Sequence, residues 1–119
     1  MSDMKAGREL DALVAERVMG MKTSPHSFIH NNGVTEPYKV TEYYADGIRC
    51  KDYSTSIAAA WLVVEKMEES LNGINIRSVV PSSFPTYYIV HFGDERRRVT
   101  EFTLPLAICR AALKATESE

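Results

Sequence analysis

The stretch "YYIVHFGDERRRVTEFTLPLAICRAALKA", Tyr87 to Ala115, decides the fold. Its first parts, "YYIVHF" and "RRRVTEF", are short, rich in aromatic and β-branched residues, and separated by the tight "GDE", so they read as two strands joined by a turn. Tyr88, Val90 and Phe92 point one way and Tyr87, Ile89 and His91 the other. Both faces then carry aromatics, and both are expected to be covered. Upstream, "INIRSVV" ends at the proline-bearing "PSSFP" and supplies a third strand. An antiparallel meander over Ile74–Val80, Tyr87–Phe92 and Arg97–Phe102 is expected. Downstream, Thr103 is placed to cap a helix, with Pro105 tolerated in its first turn.

Working outward, "DYSTSIAAAWLVVEKMEESLNG" is the clearest helix. Ser54 or Thr55 is expected to cap it, Asn72-Gly73 to end it, and Ile57, Ala60, Trp61, Val64, Met67 and Leu71 to line its buried face. An earlier helix, "GRELDALVAERVMG", repeats Leu10, Leu13, Val14, Val18 and Met21 at three- and four-residue steps and stops at Gly20. Placed at about 100° per residue, Arg17 falls inside that stripe, and Asp11 and Ala15 on the polar side. Between Lys22 and Asp52 the signals weaken. "SPHSFIHNNG" and "EPY" read as loop, "YKVTEYY" as a candidate strand, and "ADG" as a turn leading to "IRC", in a hairpin or in a loop that closes over a ligand. The order of elements points to an α+β domain, a short antiparallel sheet sandwiched by helices.

Composition bounds the function. At 119 residues one domain, spanning 1–119, is expected, and 45% apolar with 25% charged residues is ordinary for a soluble globular protein. A net charge of −2 argues against DNA or RNA duplexes, which demand a basic excess. Cys50 and Cys109 fit neither a zinc nor a disulfide pattern, and both are expected to be reduced and half-buried. No run is long enough to span a membrane and the N-terminus lacks an apolar signal stretch, so a cytoplasmic protein is expected.

No catalytic constellation assembles. His26 and His30 stand four apart, a metal spacing on a helix, but the proline before them and the turn residues after them favour solvated or capping roles. Phosphate-loop, nucleophile-elbow and dinucleotide fingerprints are absent, and Cys109 falls mid-helix on an apolar face, where a thiol packs. Neither an enzyme nor a cofactor or metal is expected. The arginines are more informative. Arg96, Arg97 and Arg98 either end a hairpin paired with Asp94, Glu95 and Glu101, or offer alternate guanidiniums to an anion. Arg110 lies close to Leu106 and Leu113 on a helix with almost no wet face. A guanidinium there needs Glu65, Glu68 or Glu101, backbone carbonyls, or an external anion.

Three blocks, "ELDALVAERVMGMK", "DYSTSIAAAWLVVEKM" and "FTLPLAICRAALKA", resemble in order and spacing the phage ABA-sandwich domain family. That family resembles the Thoeris anti-defence sponges, which bind nucleotide second messengers without cleaving them. The resemblance implies capture of glyco-cyclic ADP-ribose, and of cyclic di- or trinucleotides from CBASS cyclases, in the host cytoplasm. It also implies homodimers built into hexamers, with sites between subunits. By the same resemblance Arg110 faces a pyrophosphate, and Arg97 and Arg98 assist. Tyr87, Tyr88 and Phe92 are stacking candidates for adenine, and Arg17 lines a junction of first helices that suits a trinucleotide. A phage structural or interaction module and a small nucleotide hydrolase are the competing readings.

Overall fold

The computed structural model describes residues 6–70, 73–83 and 85–116. Among the described residues three helices, α1 (Arg8–Arg17), α2 (Ile57–Glu69) and α3 (Leu104–Thr116), accompany six strands. The strands are β1 (Thr23–His30), β2 (Tyr38–Ala45), β3 (Ile48–Arg49), β4 (Ile74–Val79), β5 (Tyr87–Phe92) and β6 (Val99–Glu101). The fold is α+β, as the pattern predicts, but the strands form two antiparallel sheets, ordered β1-β2-β3 and β4-β5-β6. The second is the expected meander, in a register that sets Val90 between Ile76 and Val99.

The first sheet corrects the loop expected over "SPHSFIH". All eight residues of β1 pair with β2, from Thr23 opposite Ala45 to His30 opposite Tyr38. The proline at Pro25 signals a breaker locally, yet an edge strand tolerates it because one row of its backbone donors has no partner to lose. The "ADG" turn is present: Asp46 and Gly47, at φ 52° and 84°, join β2 to β3 in a two-residue hairpin. Asp46 also ties the hairpin to the start of β1, its carboxylate accepting from the Lys22 N–H at 2.9 Å.

The core gathers around α3, whose Ala107, Ile108, Cys109, Ala111, Ala112 and Leu113 are all buried. Against them pack Leu10, Val14, Ala15 and Val18 of α1, Ala60, Val63, Val64 and Met67 of α2, and Val90 and Phe92 of β5. Small residues on α3 let neighbours approach from several sides, which is why this helix shows so little polar face. Cys109 is buried rather than half-buried, and burial pushes its thiol far up; Cys50 is half-buried and pushed up to about 11 by burial, then by Asp11 and Asp52.

Both outer helices sit rotated from their expected faces. On α2 the buried set centres on Val63 and Val64, so Trp61 (47% exposed), Ile57 and Leu62 face outward from the chain. The helix is apolar over a wider arc than α3 and β4 can cover, and periodicity cannot choose which part is left over. Its cap is Ser56, accepting from the Ala59 N–H at 3.3 Å, rather than Ser54 or Thr55. The helix ends at Glu69, before Asn72, which with Leu71 lies outside the described residues. On α1 Asp11 and Ala15 turn inward and Arg17 is exposed. The reason is a hydrogen bond: the Asp11 carboxylate accepts from the Ser54 N–H at 2.7 Å, while Ser54 Oγ accepts from the Gly7 N–H at 2.9 Å. Desolvation raises the Asp11 pKa against the lowering pull of the hydrogen bonds that Asp11 itself makes with Ser54.

Candidate functional site

The three consecutive arginines do not open a strand as expected. Glu95–Arg97 form a single 3-10 turn, capped by Asp94, whose carboxylate accepts from the Arg96 N–H at 2.9 Å. The turn sends the side chains to three different places. Arg96 folds back onto Asp94 at 3.0 Å, and this hydrogen-bonded guanidinium holds the Asp94 carboxyl below the usual carboxylate range. Arg97 reaches the last turn of α3 and donates to the Ala115 carbonyl at 3.3 Å, where a cation suits the negative end of the helix. Arg98 turns onto the face of the second sheet that points away from the core.

There Arg98 meets residues that sequence reasoning did not single out. A concavity of about 250 Å³ is lined by Asn75, Arg77, Ile89, His91, Glu95 and Arg98. Register explains the grouping. Asn75 lies opposite His91 and Arg77 opposite Ile89, and alternation puts all four on one face, with Val90 and Phe92 on the other. The outward set of β5 was legible in "YYIVHF"; the missing signal was the pairing that puts Arg77 of "INIRSVV" beside it. Two guanidinium forks, an amide and an imidazole on a rigid sheet can hold phosphate oxygens and a polar ring edge together. His91 Nδ1 is buried without a hydrogen-bond partner. Tyr87, half-buried, lies two residues from Ile89 and so belongs to the same face.

The remaining candidates are dispersed. Phe92 is 2% exposed within the core, so it serves as a sheet-core residue and offers no ring to a ligand. Tyr88 is half-buried on the core side, in register with Glu101. Arg110 is ion-paired with Glu101, one of the three carboxylates its position allowed, and both side chains are mostly buried at 16% and 17% exposure. Arg17 lies apart, lining a second concavity of about 260 Å³ with Val18, Lys66, Met67, Ser70, Ala115 and Thr116. The C-terminal ends of all three helices approach that place, so Arg17 and Lys66 offset their dipoles and the field there is weaker than two cations suggest. His26 and His30 share a strand face, the first edge-on to Tyr44 at 4.6 Å and the second tilted against Tyr38 at 5.1 Å between ring centres. Among the described residues no cluster of three His, Cys, Asp or Glu is placed to hold a metal, and no helix is long and apolar enough to cross a membrane.

Three helices with two small antiparallel sheets, and a basic concavity on one sheet, define the class as a compact α+β domain. The chain belongs to the phage ABA sandwich domain family, whose model matches residues 12–113, and is thus a phage protein of that family. No curated protein and no solved structure gives a significant match.

Proposed function

We propose that this phage protein is an anti-defence sponge: it binds cyclic nucleotide immune signals, such as glyco-cyclic ADP-ribose and CBASS cyclic di- or trinucleotides, and sequesters them without cleavage. Membership of the phage ABA sandwich domain family supports the phage setting. The observation that carries the binding is the convergence of Arg77 and Arg98 with Asn75 and His91 on the outward sheet face. Guanidinium forks there suit a pyrophosphate, and Tyr87 along the same face is the stacking candidate for adenine. Arg98 is thus the principal phosphate ligand, whereas Arg110, held by Glu101, and Arg97, held by the α3 carbonyl, brace the site from behind.

Self-association belongs to the same reading, in which ligand sites lie between subunits. The outward Ile57, Trp61 and Leu62 of α2 form an apolar strip suited to a second copy. The protein acts in this reading as a homo-oligomer in the host cytoplasm.

The test is incubation of the purified protein with glyco-cyclic ADP-ribose and a cyclic dinucleotide, followed by washing, heat denaturation and mass analysis of what is released. Intact messenger from the wild type, and at least tenfold less from Arg98→Ala at an unchanged melting temperature, is the expected result. Release of a cleaved product would make the protein a hydrolase. No uptake would leave only a structural or interaction module.

A further inference from the structure

The charges lining the sheet-face concavity do not match its proposed cargo. Arg77 and Arg98 face one carboxylate, Glu95, with Asn75 and Ile89 neutral, so with a neutral imidazole the lining carries one net positive charge. Thr100, opposite Ile89 on β6, adds none, and the neighbouring Asp94 and Arg96 cancel each other. A pyrophosphate diester carries two negative charges. Within the same lining His91 holds an Nδ1 that is buried and has no partner, an arrangement that costs free energy as it stands. A half-turn about its Cβ–Cγ bond exchanges Nδ1 with Cδ2 and leaves the carbon in the occluded place.

We infer that the concavity takes dianionic phosphate ligands, with His91 supplying the second net positive charge as an imidazolium that donates a hydrogen bond to the ligand. The proton comes from the buffer and stays on the ring while the ligand is bound; no bond of the ligand breaks. This rests on the sponge reading only in placing the ligand on this face. The sign follows from linkage. A bound anion favours the imidazolium, so affinity is greatest at low pH and falls as pH rises through the range in which imidazoles titrate. Glu95 supports the charged ring, and Arg77 and Arg98 oppose it until a ligand neutralises them.

The probe is ADP-ribose, whose pyrophosphate remains dianionic between about pH 6 and 8, so that any proton taken up belongs to the protein. Calorimetric titration in buffers of different ionisation enthalpy should show net proton uptake near neutral pH. Affinity should fall about tenfold from pH 6 to pH 8. His91→Asn should still bind, with no proton uptake and a flat pH profile, and His91→Gln repeats the measurement should the first variant melt early. A His26→Gln, His30→Gln double variant should keep the full uptake. Wild-type binding without uptake, uptake that survives in both His91 variants, or no ADP-ribose binding at all would each overturn the inference. Intact messenger capture without proton linkage leaves the sponge standing and removes the role of His91. Proton-linked ADP-ribose binding without messenger capture does the reverse.

Discussion

Deleting the Arg110 charge while keeping its stem, as in Arg110→Met, leaves the Glu101 carboxylate mostly buried opposite an apolar group. Exposed ion pairs contribute about 0.2–1 kcal/mol, and breaking a fully buried one costs about 3–5 kcal/mol. With 16% and 17% of the two side chains exposed, this pair lies nearer the buried limit, and part of the carboxylate keeps its water. A loss of about 2–3 kcal/mol is expected, which for a domain of this size lowers the melting temperature by roughly 6–15 °C. Glu101→Gln should cost a similar amount, because a guanidinium is then left facing a neutral amide. The double variant should recover much of the loss, since two uncharged groups have nothing to desolvate. Thermal and urea unfolding of the four proteins gives the coupling, expected at about 3 kcal/mol. A coupling below about 0.5 kcal/mol, or a double variant as unstable as the sum of the singles, would refute the claim that the pair locks α3 to β6. The residues alone left Arg110 open to an internal carboxylate or an external anion, and the family resemblance implied a pyrophosphate; within the chain its ion-pair partner is Glu101.

Further outcomes are expected from single substitutions. Asp11→Asn keeps an acceptor for the Ser54 N–H but has no charge to desolvate. Because folding raises the Asp11 pKa, that residue favours the fold below its unfolded pKa and loses this contribution as pH rises through its folded pKa. The variant should therefore gain stability relative to wild type as pH rises above about 4 in chemical unfolding, and a constant difference would contradict this. Ser56→Ala removes the α2 cap and should cost about 1 kcal/mol in the same assay. Trp61→Glu should leave the chain folded, while light scattering shifts from a larger mass to the 13.4 kDa monomer. A wild type already at that mass would remove the assembly proposal.

The outcome at each element depends on whether its signal was local. The three helices and the β4–β6 meander were legible because their apolar periods run within single segments, and the Asp46-Gly47 turn because few residues accept its positive φ. Strand β1 was not, since its proline and polar residues look like loop until β2 lies beside them. The candidate site was legible only in part. Arg98 was in view, but Arg77, Asn75 and Glu95 carry no local mark of function.

Sequence by itself determined the α+β class, the family, the apolar character of α3 and the need of Arg110 for a carboxylate, carbonyl or external anion. Tertiary structure decided that Glu101 pairs with it, which faces of α1 and α2 turn inward, and which arginine meets the open sheet face. The physical reason is that periodicity measures how wide an apolar arc is, whereas its direction depends on contacts between distant segments, such as Asp11 with Ser54. In the same way, strand alternation says which residues share a face, but only the register across β4 and β5 brings Arg77 and His91 together beside Arg98.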